Sequence, residues 1–133
     1  LQDRVFLHGS VDDKKFVQIM SQASIFVLPC IVARDNDMDG TPMSLMEAMI
    51  MGIPCISTNI SGIPEIMENN RSGILVELGN AGELENAIIS LKKNKRLYKR
   101  LAIEGRKKII KDFNIKTTIK DLITVFKATG QSD

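Results

Sequence analysis

Residues 42–58 read PMSLMEAMIMGIPCIST. The first ten of these residues predict an α-helix, because Pro42 suits the first turn of a helix and Gly52 suits the position just after its end. Residues 54–58 then predict a short strand, since an apolar run follows a turn signal. A helix that passes directly into a strand is typical of a parallel α/β fold, in which helices cover the faces of a sheet.

Short apolar runs alternate with longer amphipathic ones on both sides of this stretch. The other predicted strands are 5–8, 25–28 and 73–76, and the other predicted helices are 12–23, a short one from residue 62, a helical region from residue 81 and a last segment, 116–127. Together they predict an α/β fold of three or four parallel strands wrapped by helices, which is a Rossmann-like layout. In such sheets ligands bind where the carboxyl ends of the strands meet.

The composition is that of an ordinary globular domain, with 133 residues of which 44% are hydrophobic and 26% charged. This length predicts a single domain, residues 1–133, closed by helices from about residue 81. No apolar run approaches the roughly 20 residues that span a bilayer. The first residues do not read as a signal peptide, which favours a cytoplasmic location. The missing initiator Met and the early first strand suggest a piece of a longer protein.

Charge is divided unevenly along the chain. Residues 1–91 carry an excess of acids, whereas residues 92–111 contain ten Lys or Arg and one acid, Glu104. The basic segment can be the solvated face of helices, or it can contact an anionic membrane surface, which would make the protein peripheral at the inner face of the plasma membrane. Nucleic acid is the least favoured partner, because aromatic residues that would stack on bases are nearly absent from the segment.

Two carboxylates flank the start of the helix predicted from residue 42. Asp39 precedes that helix, and Glu47 lies on its second turn among apolar neighbours. A carboxylate has two oxygens that can accept hydrogen bonds from two adjacent sugar hydroxyls, so the pair is a candidate sugar-binding site. From the residues alone a structural role remains open as well, with Asp39 capping the helix and Glu47 capping a neighbouring loop.

The same stretch carries a resemblance to a known family. Residues 39–49 followed by Gly52-Ile53-Pro54 resemble the E-G-x-P-x-x-L-x-E-A-M…G-x-P signature of group 1 (family 4) retaining glycosyltransferases, which have the two-domain GT-B fold. Residues 6–9, 23–29, 62–66 and 73–76 are similar to further blocks of the C-terminal domain of that family, in the same order. Residues 33–39 together with residues 41–49 look like the exopolysaccharide branch of the family, such as colanic-acid-type bacterial transferases.

The resemblance implies a donor-binding domain that holds a nucleoside-diphosphate sugar. Glu47 matches the acidic residue expected to hold the ribose hydroxyls, and Asp39 matches the one expected to contact the donor sugar, which makes them the implied catalytic-site pair. The other implied substrate-binding positions are Gly40, Thr41, Pro42, Met43 and Val11. No cofactor and no metal are implied, because helix dipoles and basic side chains offset the charge of the diphosphate in folds of this type.

Two departures from the family pattern narrow this interpretation. The first acidic position holds Asp39 where the family usually has Glu, so this carboxylate is one methylene shorter. The Arg and Lys that neutralise the donor diphosphate in the family lie upstream of residue 4, and nothing here matches them. We therefore expect this chain alone to be catalytically inactive. The acidic loop 33–39 fits only half of a calcium-binding loop, so a metal site is not favoured.

Three functions are therefore considered. The first is the donor half of a retaining hexosyltransferase that acts on a polysaccharide or lipid-linked acceptor, the acceptor being held by an N-terminal domain outside this chain. The second is a non-catalytic, regulatory relative that binds nucleotide sugars, for which Asp39 is the supporting residue. The third is a nucleotide-dependent epimerase, which would need further acid–base residues. Nucleic acid is not an expected partner.

Overall fold

A parallel sheet of three strands forms the centre of the computed structural model, which describes residues 2–31 and 42–113. The strands are β1 (Phe26–Leu28), β2 (Cys55–Thr58) and β3 (Ile74–Val76), in the order β1-β2-β3. Phe26 of β1 is in register with Cys55, and Ile56 of β2 with Ile74. Each strand lies within a segment predicted to be a strand, and the α/β prediction of a Rossmann-like parallel sheet is confirmed.

The helices connect and cover these strands. They are α1 (Asp13–Gln22), α2 (Met43–Ile50), α3 (Ile63–Ile66), α4 (Ala81–Lys93) and α5 (Lys95–Asp112), with a single 3-10 turn at Gln2–Arg4. The helical region predicted from residue 81 thus consists, within the described residues, of α4 and α5. Asn94 separates them, because it ends α4 and its side chain accepts a hydrogen bond from the Leu97 amide at 2.9 Å, which caps α5.

Apolar side chains pack on both faces of the sheet, as expected for parallel strands. Successive residues of β2 face opposite sides of the sheet. Cys55 packs in a core with α1, α2 and α3, and Ile56 packs in a core with α4. Helix α5 contributes to both cores, Leu101 to the α4 side and Ile109 to the α2 side. Because α5 spans both layers, it fixes α2 and α4 relative to the sheet.

The predicted strand at residues 5–8 is wrong. These residues join no strand of the described sheet, and Val5, Phe6 and Leu7 are 57%, 75% and 94% exposed. A strand exists only where a neighbouring backbone completes its hydrogen-bond ladder, and none of the described strands pairs with residues 5–8, so the apolar pattern alone does not form one. The predicted helix at 116–127 lies outside the described residues.

Candidate functional site

The carboxyl ends of the three strands lie along one edge of the sheet, where the chain leaves towards α2, α3 and α4. Two buried hydroxyls fasten this edge. Ser57 donates to the Leu28 carbonyl at 2.7 Å, and Thr58 donates to the Cys30 carbonyl at 2.8 Å. These bonds hold the end of β1 against β2 and so fix the direction in which the chain leaves β1. Sequence reasoning missed both residues, because it treated them only as strand residues.

Three of the predicted site residues, Asp39, Gly40 and Thr41, lie outside the described residues, as does the acidic loop 33–39. Their assignments stay predictions. The described part of the site therefore consists of Pro42, Met43 and Glu47 on and before α2, together with Val11.

No side chain among the described residues caps the amino end of α2. Pro42 precedes the helix in extended conformation, with φ −69° and ψ 113°. The amides of Leu45 and Met46 donate to the Pro42 carbonyl at 3.1 and 3.4 Å, whereas the amides of Met43 and Ser44 precede the first intrahelical bonds. Unpaired amides and the positive end of the helix dipole form an anion-binding arrangement that needs no basic side chain.

Glu47 lies one turn further along the same helix and is exposed. The opposite face of α2 is buried through Leu45, Ala48 and Met49. Among the described residues the carboxylate of Glu47 makes no hydrogen bond or ion pair, so the alternative in which it caps a neighbouring loop is not observed there. It remains available to accept hydrogen bonds from a ligand, and no burial of a charge has to be compensated.

An apolar groove runs beside Glu47 between α2 and the end of α5. Its walls come from both helices, and they are Met43, Met46, Ile50, Ile109, Ile110 and Phe113. Met43 is 71% exposed and Ile50 is 44% exposed, so the carboxylate lies between two apolar side chains that face out of the core. The spacing of Met43, Glu47 and Ile50 on one helical face could have revealed the α2 wall, but α5 is too distant in sequence to be paired with it.

Val11 lies in a separate loop before α1 and is half-buried. The loop turns at Gly9, which has a positive φ of 63°, and it ends where Asp12 caps α1 by accepting a hydrogen bond from the Lys15 amide at 2.8 Å. The structure thus brings Pro42, Met43 and Glu47 together on one element and holds Val11 on another.

A cluster of charged side chains lies where α5 meets the turn before β3. Lys108 pairs with Asp112 at 2.8 Å and with Glu68 at 3.3 Å, and Arg71 pairs with Glu68 at 2.8 Å. Hydrogen bonds from Lys108 and Arg71 lower the pKa of Glu68, and the bond from Lys108 lowers the pKa of Asp112. Burial lowers the pKa of Lys108, but its bonds to Asp112 and Glu68 outweigh this and raise it. The positive and negative charges of this cluster are therefore paired with one another inside the protein.

The cysteines and acids of the described chain do not form a metal site. Within residues 2–31 and 42–113, no three His, Cys, Asp or Glu side chains come together as ligands would. Cys30 and Cys55 are not joined in a disulfide, and burial raises the pKa of the Cys55 thiol to about 12, so this thiol stays protonated. None of the helices described here combines the length and the apolar character that crossing a bilayer requires.

Comparison with known proteins identifies a family. The family model for glycosyl transferases group 1 matches residues 1–108. The amylovoran biosynthesis glycosyltransferase AmsK of Erwinia amylovora is 34% identical over 127 residues, which are 96% of this chain and 31% of that protein. Escherichia coli WcaL, named for a glycosyltransferase of colanic acid biosynthesis, is 33% identical over 129 residues, 96% of this chain and 32% of that protein. These relatives agree with the resemblance to the exopolysaccharide branch.

A third relative has a more specific name. The UDP-Gal:alpha-D-GlcNAc-diphosphoundecaprenol alpha-1,3-galactosyltransferase of Escherichia coli is 32% identical over 115 residues, 86% of this chain and 27% of that protein. The chain thus spans about a third of the length of the curated relatives it matches.

Solved structures agree on the fold. Sucrose-phosphate synthase from Thermosynechococcus elongatus superposes with a TM-score of 0.78 at 22% identity, over 98% of this chain and 31% of that one. Anabaena Alr3699/HepE in complex with UDP-glucose superposes with a TM-score of 0.69 at 19% identity, over 84% of this chain and 29% of that one. At these identities the likeness establishes the GT-B type of fold and nothing finer.

Proposed function

Because the chain belongs to the group 1 glycosyl transferases, we propose that it is the donor-binding domain of a retaining glycosyltransferase. The donor is a nucleoside-diphosphate hexose, and the domain comprises residues 1–133. The observation that carries this proposal is the combination, on one short helix, of an amino end that no described side chain caps and an exposed carboxylate one turn away.

The two features of α2 suit the two ends of one ligand. Met43 and Glu47 are four residues apart, about 6 Å along the helix axis. A diphosphate at the amides of Met43 and Ser44 leaves the adjoining ribose hydroxyls within reach of the Glu47 carboxylate, which accepts both in one planar arrangement. Asp39 and the backbone at Gly40 and Thr41 contact the donor sugar in this proposal, and Val11 lies against the base.

The chain supplies only part of the site. In this proposal the basic residues that neutralise the diphosphate and the domain that holds the acceptor belong to the rest of a longer enzyme, and transfer occurs in the cleft between the two domains. The span of about a third of its relatives supports this division. The chain alone then binds a nucleoside diphosphate weakly and transfers no sugar.

Retention of configuration follows a route without an enzyme nucleophile. The bond between the anomeric carbon and the diphosphate breaks, and the acceptor hydroxyl attacks from the same face while its proton passes to a phosphate oxygen of the leaving group. The positive end of α2 stabilises the charge that develops on the departing diphosphate. Asp39 and Glu47 orient the donor in this step and do not attack it, so their contribution is to positioning.

The acceptor in this proposal is a saccharide or lipid-linked saccharide used in exopolysaccharide synthesis. The names of AmsK and WcaL support the saccharide, and the galactosyltransferase named above acts on a diphosphoundecaprenol-linked sugar by its own name. A lipid-linked acceptor would bring the enzyme to the inner face of the plasma membrane, so we propose a cytoplasmic protein with peripheral membrane contact.

Calorimetric titration of the 133-residue chain with UDP and with GDP tests the donor site. One nucleotide should bind, and Glu47→Gln should weaken its binding by about tenfold or more, because a charged acceptor of two hydroxyl hydrogen bonds is lost. Glu85→Gln, at an exposed acid on α4, is the matched control and should leave the affinity unchanged. Equal weakening in both variants would count against the site.

The non-catalytic alternative is a nucleotide-sugar-binding relative, and the shorter acidic side chain at Asp39 favours it. The two functions differ in the whole enzyme, where nucleotide affinity without release of UDP or GDP from any donor would support the alternative. Transfer to an acceptor with the anomeric configuration of the donor retained, read by NMR of the product, would exclude it.

A further inference from the structure

The outer face of α5 is the part of the described chain where positive charge is most concentrated. Helix α5 buries Leu101, Gly105 and Ile109, which follow one another at intervals of four residues. Opposite them lies a solvent-exposed strip, called here the outer face, composed of Arg96, Lys99, Arg100, Ile103, Arg106, Lys107 and Ile110. It therefore carries five cations and no acid along about 21 Å of helix.

Two isoleucines interrupt this basic strip. Ile103 is 54% exposed and Ile110 is 46% exposed. They are seven residues apart, so they lie nearly in line along the helix, with Lys99 and Arg106 on one side and basic residues on the other. If this face enters an apolar interface, the two isoleucines gain free energy because their exposed apolar surface leaves water.

The cations of the outer face are only partly used inside the protein. Arg100 donates to the Asn70 carbonyl at 3.1 Å, and Lys107 pairs with Glu104 at 2.8 Å. Within residues 2–31 and 42–113, no ion pair engages Arg96, Lys99 or Arg106. This differs from Lys108 on the inner side of α5, which is 15% exposed and paired twice. These three cations therefore remain available to an anionic partner.

We propose that the outer face of α5 docks on an anionic lipid bilayer. Lys and Arg side chains reach the phosphate layer with their charged ends while their aliphatic stems and the isoleucines enter the region between headgroups and acyl chains. The helix lies parallel to the membrane surface in this arrangement. Anionic lipids supply the negative surface potential that holds basic segments at a bilayer.

A bilayer fits the outer face better than nucleic acid does. Binding to single strands uses exposed aromatic rings on which bases stack. Tyr98, the aromatic residue within the basic segment, is half-buried on the inner side of α5 and does not belong to the outer face. Exposed isoleucines, in contrast, gain from entering lipid.

This inference deepens the proposed function where it concerns a lipid-linked acceptor. Ile110 belongs to the outer face and also lines the groove that contains Glu47. A bilayer on the outer face therefore lies beside the candidate donor site, where a membrane-bound acceptor could approach. The docking surface itself rests only on α5 and can be tested without any donor or acceptor.

Vesicle flotation with the 133-residue chain tests the proposal, using phosphatidylcholine alone and phosphatidylcholine mixed with phosphatidylglycerol. Wild type should bind the mixed vesicles, should bind phosphatidylcholine weakly, and should lose binding as salt is raised. Lys99→Glu/Arg106→Glu should reduce binding to the mixed vesicles by at least about tenfold. Lys14→Glu/Lys15→Glu on α1 makes the same change in net charge and is the control, which should lose less than about threefold.

Ile103→Ser separates lipid insertion from charge attraction alone. It should weaken binding to mixed vesicles by about three- to tenfold while the salt dependence persists. Circular dichroism checks that each variant is folded. The proposal is overturned if the wild-type chain does not bind the mixed vesicles, or if the two charge variants lose binding equally. It is also overturned if a single-stranded oligonucleotide binds the chain more tightly than the vesicles do at the same salt concentration. UDP or GDP affinity should be unchanged in Lys99→Glu/Arg106→Glu, so a failed docking surface is distinguishable from a failed donor site.

Discussion

The first turns of α2 and the last turns of α5 both carry polar groups, but these groups differ in whether they find partners inside the protein. At α5 the charges of Lys108, Glu68 and Asp112 neutralise one another over distances of 2.8 to 3.3 Å. At α2 the amides of the first turn and the carboxylate of Glu47 face outward without such partners in the described chain. Groups that are paired internally stabilise the fold, and groups left open at the ligand-binding edge of a sheet are candidates for function.

Glu47→Ala should produce the largest effect if this comparison is correct. In the longer glycosyltransferase proposed above, sugar transfer should fall by on the order of a hundredfold or more, because the donor loses its orientation. The thermal midpoint should change by less than about 2 °C, since the side chain is exposed and supports nothing in the described fold. Steady-state kinetics and a thermal melt measure the two quantities. Glu85→Ala is the control, and full activity of Glu47→Ala would contradict the assignment.

Gly105→Ala tests the other region of the comparison, in which α5 packs against the turn before β3. A Cβ at this position would lie 2.8 Å from the Ser72 carbonyl oxygen, so α5 or the turn before β3 has to move. We expect a loss of about 1–3 kcal/mol in the free energy of unfolding. Gly82→Ala is the matched control, because a Cβ there meets only ordinary contact at 3.5 Å from Asn80 and improves helix propensity, with a gain of up to about 1 kcal/mol. Urea titration measures the change in the free energy of unfolding for each variant. The two changes should be equal if helix propensity alone determines them.

Thr58→Val tests the edge that carries the site. The hydroxyl of Thr58 is buried and donates to the Cys30 carbonyl, so its removal should cost about 1–2 kcal/mol of stability. Because this bond directs the chain out of β1 towards the loop of Asp39, nucleotide affinity should weaken as well. Ser21→Ala removes an exposed hydroxyl bond within α1 and should change neither quantity appreciably. Denaturant titration and calorimetry distinguish the two responses, and an unchanged affinity in Thr58→Val would show that the edge does not govern the site.

The pH dependence of stability should show the smallest effect. Glu68 and Asp112 have lowered pKa values in the fold, so their stabilisation is present above their ordinary pKa values of 4.5 and 3.8 and is lost as the pH falls through the lowered ones. Lys108→Met removes the shared partner and should flatten the loss of stability from about pH 5 to pH 2. Lys107→Met, at an exposed pair with Glu104, should leave that profile unchanged. The urea midpoint of unfolding, measured across this pH range, gives the profile. Parallel profiles for wild type and Lys108→Met would contradict the internal pairing of Lys108 with Glu68 and Asp112.

Prediction from sequence succeeded where local pattern is sufficient. The run around Phe26 to Leu28 is apolar throughout and ends at Pro29, and the strand that it predicts is present as β1, which is half-buried along its length rather than buried on both faces. Prediction failed for residues 5–8, because a strand depends on a neighbour as well as on its own residues. It also missed the contact between Gly105 and Ser72, since no periodicity relates positions so far apart in sequence.

The candidate site could likewise be predicted only in part from the sequence. The order of the family blocks predicted a site at Glu47 and the amino end of α2, and among the described residues Glu47 is exposed and no side chain caps that helix end. The groove between Ile50 and Ile110 depends on packing of α5 against α2, which the sequence does not encode locally. The positions Asp39, Gly40 and Thr41 remain predictions from sequence.

The sequence by itself determined the parallel α/β class, the family and the helix that carries Glu47, because apolar periodicity and motif order are local properties of the chain. Tertiary structure decided which charges are neutralised and which remain available. Lys108 and Arg106 belong to the same basic run, yet Lys108 is paired with Glu68 beside the turn before β3, as well as with Asp112 of its own helix, and Arg106 faces outward. The physical reason is that the pair with Glu68 depends on a distance in space between segments far apart in sequence, which only the packing of α5 on the sheet sets.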